Sequence, residues 1–599
     1  MKGGIYMNSW WFRTKPRSIL RTFEWFPYFA GLEGQNWNYK SDDKISSFNN
    51  KPIYPIRRKY IYNSHWEELE EKYFSYEDYL SGRNDVNETE SAGRNDKTTY
   101  EFYGLGYVDK NGIINVTKTG ELVKNNKMNE NLLIKILLKM QFPSPAVTRK
   151  SKNNNMYVFP MELILNIFKH FDALNKYEIG YLFMCNHIDK LNIAIDSINE
   201  FQEKYKKLDN KLNTQKVTSI FTDIMNKNFP EIKNKPETYY KDYSDALFRT
   251  LEYTGLFSQK GRGYYAKIFI PEHAKLKVEL LQNKYKFIPN TEKDLIQYME
   301  WYGNPYNLEL PWENIDNLQF IVDNKLNLYK NKINKASKEE IELISTKHLN
   351  QLNKLSNLDI SKKESLMKLD KEISDKLLSL NEELFVKHYS KTDRERTKII
   401  EKFEDIMAGN EDMAALWLEC NTWKSLVAIN GEHYVKRNFK IEDDLTPRAF
   451  APGRGNTPDM ELYKNGYILI PEVSLMTGVR QWEHEGSSVI DHVYKFIERN
   501  EDKQVLGIFI SSKMNIRTIW QFFILNRESW IGKPVPVVPL TIKQYISIIQ
   551  YIYDNNLNID DFKNLIEYIH KASFKYETFT EWEKSIDSMI SKWQQIKAV

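Results

Sequence analysis

Cysteine is nearly absent: Cys185 and Cys420 are the only two in 599 residues. They lie far apart, so neither a disulfide framework nor a structural zinc site is built from them, and a reducing compartment is the natural setting. No apolar run approaches the length of a membrane span, and the N-terminal Met1-Lys-Gly-Gly-Ile-Tyr-Met-Asn8 has no apolar signal core. The expectation is a soluble intracellular protein with no membrane partner. A Gly-rich phosphate loop with its Lys is missing too, which argues against ATP-driven translocation. Nor is there a large charge imbalance. The net charge is +4, so the chain as a whole does not announce a polyanionic partner.

What is present is a long chain, 41% hydrophobic and 14% aromatic, enough for about three or four packed domains. Its positive charge is local. Residues 1–60 hold 11 Lys and Arg against 4 Asp and Glu, and residues 121–160 hold 7 against 2. Such patches suit a phosphate backbone, although a solvated basic face looks the same. In residues 8–60, Trp10, Trp11, Phe12, Trp25 and Trp37 alternate with Arg13, Arg17 and Arg21. The tryptophans read as core. The arginines are the candidates for DNA contact, because Arg makes the commonest bidentate contact to guanine.

Residues 82–98 are polar and read as a loop. From Tyr103 the pattern is strand, turn at Asp109–Gly112, strand, then a helix capped by Thr117 or Thr119. Helices over 129–141 and 160–170 would complete a winged-helix-like unit. A similar unit recurs where the amphipathic stretch Tyr243–Phe257 ends at Gly255, a helix-stop signal. The hairpin Phe257–Ile270 follows, with Lys260, Arg262 and Gly263 at its tip. A basic wing tip can reach a groove or a phosphate. Residues 331–405 contain neither Gly nor Pro, and their leucines recur at helical spacing. They read as long charged helices joining two lobes.

The C-terminal lobe carries the chemistry. A Gly/Pro-rich loop (Ala451-Pro-Gly-Arg-Gly-Asn456) precedes Asp459, which opens a short strand. Lys464-Asn-Gly466 suits a tight hairpin turn, and the return strand Tyr467–Pro471 delivers Glu472. Two carboxylates at the ends of paired strands can share a hard divalent cation, the basis of metal-dependent phosphodiester cleavage. Pro-Asp followed by Glu-X-Lys is the PD-(D/E)XK nuclease signature. Here the lysine position holds Ser474. The surrounding order is a helix over 411–421 with Glu419, the hairpin, a helix over 482–500 with Glu485 and His492, a strand over 504–510, a helix over 516–525 and a strand over 535–540. This is the α/β order expected of that superfamily.

Almost the whole chain resembles the AlwI-type type IIS restriction endonucleases. The likeness runs through Pro16-Arg-Ser18, Phe29-Ala-Gly-Leu-Glu-Gly34, the Tyr103 hairpin, Gln141-Phe-Pro-Ser144, Tyr253-Thr-Gly-Leu-Phe257, Tyr302-Gly-Asn-Pro305, Pro458-Asp-Met-Glu461 and Glu472-Val-Ser474. The resemblance implies a multidomain protein. Its DNA-binding N-terminal half would be mostly α with winged-helix-like hairpins, in subdomains over 1–175 and 176–300. A charged helical linker over 301–405 and an α/β PD-(D/E)XK cleavage domain over 406–599 would follow. It implies Asp459, Glu472 and the Val473 carbonyl as Mg²⁺ ligands, with Mn²⁺ as substitute, and Glu419 at a second metal or its waters. It also implies Glu485 as a further acid, with Gln481 and His492 orienting water or phosphate. Ser474 is shared with the family.

The implied activity is binding of a short asymmetric duplex site and cleavage a few nucleotides to one side. The enzyme would be a monomer that nicks one strand, or cuts both through a transient dimer or second subunit. A cognate DNA methyltransferase and a prokaryotic cytoplasm follow from the same likeness. Two other readings compete: a non-catalytic winged-helix DNA-binding regulator, which leaves the four acids unexplained, and a repair or transposition nuclease, which would not cut at a fixed offset.

Overall fold

The leucine and aromatic periodicity of the chain is realised as helix over about 62% of the described residues, with several small sheets between. The computed structural model describes residues 9–37, 89–146, 157–208, 213–261, 263–338, 342–356, 363–409, 411, 413–442, 444–449, 457–527 and 532–597. Arg262 and the loop 450–456 lie outside the described residues. Two compact units form. One comprises Met1–Gln259 and Lys267–Ile321, the other Lys260–Ala266 and Val322–Val599. Residues 1–300 fall in the first unit except 260–266, which fall in the second with residues 322–599.

In the first unit, strands β1 (Gly106–Val108) and β2 (Ile114–Val116) pair antiparallel. The Asp109 carboxylate closes their turn by accepting from the N–H groups of Asn111 at 2.8 Å and Ile113 at 2.9 Å. Thr117 caps the helix Lys118–Lys124, as its position predicts, accepting from Gly120 N–H at 3.1 Å. The helix Glu130–Lys139 follows, capped by Asn129. Its Lys139 Nζ donates to the carbonyls of Asn304 at 2.7 Å and Trp301 at 3.2 Å. The Tyr302-Gly-Asn-Pro305 signature is thus a turn closed by a buried lysine. Burial brings that lysine's pKa down to about 7.

One expectation fails. Residues 89–98 are not loop, because a helix runs from Thr89 to Phe102. Its polar sequence is overridden by packing: Thr99, Tyr100 and Phe102 are buried, and Tyr100 stacks against Phe26 and Phe29.

The stretch over the second hairpin also forms a small sheet beside a helix. Strand β3 (Ala173–Asn175) joins β4 (Ser258–Lys260) and β5 (Lys267–Phe269) in a sheet of order β3-β5-β4. The helix Ser244–Tyr253 precedes it and stops where Gly255 takes φ +66°, a conformation that favours glycine.

The second unit begins with helices. Leu366, Leu369, Ile373, Leu377, Leu380 and Leu384 form the buried seam of helix Lys363–Lys387, a 3–4 spacing typical of packed helices. Lys325 and Asp370 pair inside at 2.5 Å. Strands β6 (Tyr434–Arg437), β7 (Lys440–Ile441), β8 (Pro447–Ala449), β9 (Met460–Lys464), β10 (Tyr467–Ser474), β11 (Gln504–Ser511) and β12 (Val537–Thr541) follow. The main sheet has the order β12-β11-β10-β9-β6. Strands β10, β11 and β12 run parallel, while β9 is antiparallel to both β10 and β6. Every residue of β10 is buried, as expected of a strand covered on both faces. Strands β6, β7 and β8 lie in a stretch where sequence patterning gives no strand signal.

Gly507 of β11 lets the helix Ser487–Arg499 approach the sheet. A Cβ there would stand 2.5 Å from Val493 Cγ2 and 3.1 Å from the Pro536 carbonyl. Gly507→Ala is therefore expected to lower unfolding stability by about 1–3 kcal/mol, the cost of overpacking a well-filled core. Denaturant titration measures it, and an unchanged midpoint would contradict this packing.

Candidate active site

The Asn465-Gly466 turn, with Gly466 at φ +87°, sets the register in which Tyr467 faces Lys464 and Leu469 faces Leu462. Counting back along that register brings Glu472 opposite Asp459. Both backbones take part in the lock. Asp459 N–H donates to Glu472 Oε2 at 3.3 Å, and Val473 N–H donates to Asp459 Oδ2 at 2.9 Å. From the β6 side, Asn438 N–H donates to the Asp459 carbonyl at 3.0 Å. Its side-chain amide reaches the Pro458 carbonyl and Glu461 Oε1, both at 2.8 Å. Asn438 is thus a positioning residue for the first acid. Nothing in the sequence marks it, since a single Asn in a polar stretch has no pattern to read.

The remaining acids arrive from helices. Glu419 is buried on the helix Ala414–Val427. A π-helical turn, Gln481–Gly486, carries Glu485 into the helix Ser487–Arg499, where His492 is buried. Such π segments concentrate at functional sites. His492 Nδ1 lies 2.5 Å from Glu472 Oε1, so the two share one proton. Ser474 donates its hydroxyl to Glu485 Oε1 at 3.1 Å and accepts Met476 N–H at 3.0 Å. Asp459, Glu472, Val473, Glu485, Glu419 and His492 are therefore brought together.

Gln481 has a different task from the one expected. It is fully buried, and its amide donates to the Met476 carbonyl (2.8 Å), Ser511 Oγ (2.9 Å) and the Lys513 carbonyl (2.9 Å), while Oε1 accepts Asn515 N–H at 2.6 Å. Its bonding capacity is spent on tying the ends of β10 and β11 to the next helix, not on water or phosphate.

The electrostatics follow from crowding. Burial, then the neighbouring Glu472 and Glu485, hold the Asp459 carboxyl well above the ordinary carboxylate range despite the Val473 N–H. Burial, reinforced by Glu485 and Glu419, raises Glu472 to about 8. Burial lowers His492, which favours the neutral ring. Lys464 offers no relief, because it lies at the turn end of the hairpin, facing Tyr467, where it is bonded to Asp560.

Among the described residues, no three His, Cys, Asp or Glu side chains form a ready-made metal cage. The donor set nonetheless fits Mg²⁺, which binds through one or two carboxylates and keeps several waters. Two strand-end carboxylates raised chiefly by burial are the groups a divalent cation would hold in ionised form.

The proposed DNA-contact residues divide. Arg13 staples two segments, with Nε to Thr99 Oγ1 at 3.0 Å and Nη2 to the Asn95 carbonyl at 2.9 Å. Arg17 is exposed and bonded to Asp242 at 2.5 Å. Arg21 is exposed on the helix Ile19–Ala30. Lys260 ends β4, at a hairpin tip whose Gly261 N–H donates to the Arg448 carbonyl at 3.2 Å within the second unit.

Comparison with known proteins gives three results. The sequence model of the AlwI restriction endonuclease matches residues 103–548, about three quarters of the chain. A solved structure, the small subunit (R.BspD6I2) of the heterodimeric restriction endonuclease R.BspD6I, is 17% identical. It covers 32% of this chain and 98% of its own, with a TM-score of 0.29. No curated protein matches.

The raised carboxyls set a pH dependence. Without a cation, Glu472 in the folded state keeps its proton up to about 8, whereas an ordinary glutamate releases it near 4.5. Between those values the folded state binds more protons, so stability falls as pH rises. The melting temperature of the cation-free protein is expected to decline across that window, and less steeply in Glu472→Gln. Parallel curves for the two proteins would remove Glu472 as the group responsible.

Proposed function

The chain belongs to the AlwI restriction endonuclease family, a DNA-binding deoxyribonuclease family, and from that premise we propose a type IIS enzyme whose second unit is a PD-(D/E)XK cleavage domain. The observation that carries this reading is the lock between Asp459 and Glu472 on facing strands, with Glu485, Glu419 and His492 gathered around it. The first unit reads a short asymmetric duplex site through its two winged-helix-like modules. Cleavage falls a few nucleotides to one side.

Asp459, Glu472 and the Val473 carbonyl would hold Mg²⁺, or Mn²⁺ in its place, with Glu419 at a second ion or its waters. When bound, such an ion polarises the scissile phosphate and activates water. The chain's own residues do the rest. His492 and Asn438 keep Glu472 and Asp459 in register. Ser474 aims Glu485, which acts as proton acceptor for the attacking water. One such constellation cuts one strand. The enzyme is thus either a strand-specific nickase or pairs transiently with a second copy or subunit, and a cognate DNA methyltransferase protects the host's sites.

Sequencing both strands at the ends made from plasmid DNA with Mg²⁺ tests the proposal. Breaks at a fixed distance from one asymmetric motif are expected. Folded protein that leaves the plasmid intact with either Mg²⁺ or Mn²⁺ would exclude it.

Two variants probe the site. Asp459→Asn should reduce cleavage at least about a thousandfold, since several kcal/mol of charge stabilisation is lost, while binding of the site persists. Ser474→Ala should slow single-turnover cleavage by about 10–100-fold, the usual cost of losing a supporting partner. Its DNA affinity should not change, and Ser474→Thr should restore the rate. A full rate in Ser474→Ala would show that Glu485 needs no such support.

A further inference from the structure

Three cations and two carboxylates meet on the first unit. Asp245, in the first turn of helix Ser244–Tyr253, receives Lys176 Nζ at 2.6 Å and Arg249 Nε at 2.9 Å. Arg17 Nη1 stands 3.9 Å from the same carboxylate, and its Nη2 is 2.5 Å from Asp242. Lys176 is buried, whereas the Arg17 and Arg249 side chains are 44% and 54% exposed. Burial works to raise the Asp245 carboxyl, but the bonds from Lys176 and Arg249 override it and hold it below the ordinary range. The carboxylate is therefore charged at neutral pH, as a clamp must be.

The buried Lys176 bond anchors Asp245, but stability accounts for little of the rest. The exposed Arg17 and Arg249 pairs contribute about 0–1 kcal/mol each, and gathering three cations around two anions adds like-charge repulsion. Orientation accounts for the Arg249 bond. The Asp245 bond occupies only the Nε edge of Arg249. The Nη pair is left as a planar two-donor fork, the geometry that matches guanine O6 and N7 in the major groove. A fork fixed before binding loses less conformational entropy on contact.

We propose that Arg249 reads a guanine edge of the recognition site through its Nη fork, with Asp245 fixing its orientation. The assignment rests on the reading of this unit as the one that recognises duplex DNA. It adds Arg249 and Asp245 to that reading.

The test is selection of bound sequences from a pool of randomised duplexes, using the full chain with Ca²⁺ in place of Mg²⁺. Wild type, Arg249→Ala, Arg249→Lys and Asp245→Asn are compared, and each is checked for a wild-type melting curve. Wild type should enrich one short asymmetric motif. Arg249→Ala should lose preference at one guanine by about 5–150-fold while keeping the other positions. Arg249→Lys keeps the charge but lacks the fork, so it should fail likewise. Asp245→Asn should lose part of the same preference.

An unchanged motif in Arg249→Lys and Arg249→Ala overturns the proposal. So does binding weakened equally for all sequences with a salt dependence reduced by about one ion, the mark of a phosphate contact. Should Arg249→Ala not fold, Arg249→Lys alone decides. If wild type enriches no motif, the sequence-specific function itself fails, and this assignment with it.

Discussion

Two carboxylates that share a buried site repel one another, and in a low-dielectric interior that repulsion is large. The second unit is arranged around holding such a pair together. Asp459 and Glu472 each interact with backbone N–H groups of the other's strand, so neither can swing away without breaking the hairpin. His492 fixes the outer oxygen of Glu472, and Asn438 pins the turn into Asp459 from the next strand. A fully buried central strand, β10, anchors the assembly through parallel pairing with β11. The result is a site strained towards protonation. It gains most from a partner that brings concentrated positive charge, and two strand-end carboxylates offer oxygen donors to match.

Under the proposed assignment Ser474 stands at a position where a lysine would be expected, and this changes which groups can assist. A hydroxyl cannot supply positive charge to a developing phosphorane, but it can donate a hydrogen bond. Here it donates to Glu485 and accepts from Met476 N–H. In that reading an aimed carboxylate takes the place of the cation. Under the proposed mechanism this moves proton acceptance to the protein and leaves charge neutralisation to the bound ion.

Much of this lobe was legible in the sequence, for physical reasons. The Asn-Gly turn demands positive φ, β10 is a continuous apolar run, and the leucine seam obeys a local rule, as do Thr117 and Gly255 in the first unit. The acids were harder. Pro-Asp and a later Glu carry little information alone, and the family resemblance, not their spacing, singled out Glu419 and Glu485. What escaped was non-local. Gln481 sits on a π-helical turn whose extra residue shifts it inward, a detail periodicity does not encode. Asn438 acts through contacts across strands that sequence patterning does not signal. The helix Thr89–Phe102 has a polar surface and owes its existence to aromatic partners such as Phe26, more than sixty residues away.

The same distinction governs the recognition half. Counting basic residues suggested patches that would attract a polyanion, yet several of those cations are already engaged. Lys139 closes a turn on carbonyls, Arg13 staples a helix, and Lys135 pairs with Glu313. The net charge is only +4, and sequence is read by directional contacts to base edges rather than by diffuse charge. Under the proposed assignment, the Asp245 carboxylate beside Arg249 serves that end, since it fixes the direction of a fork instead of adding to non-specific attraction.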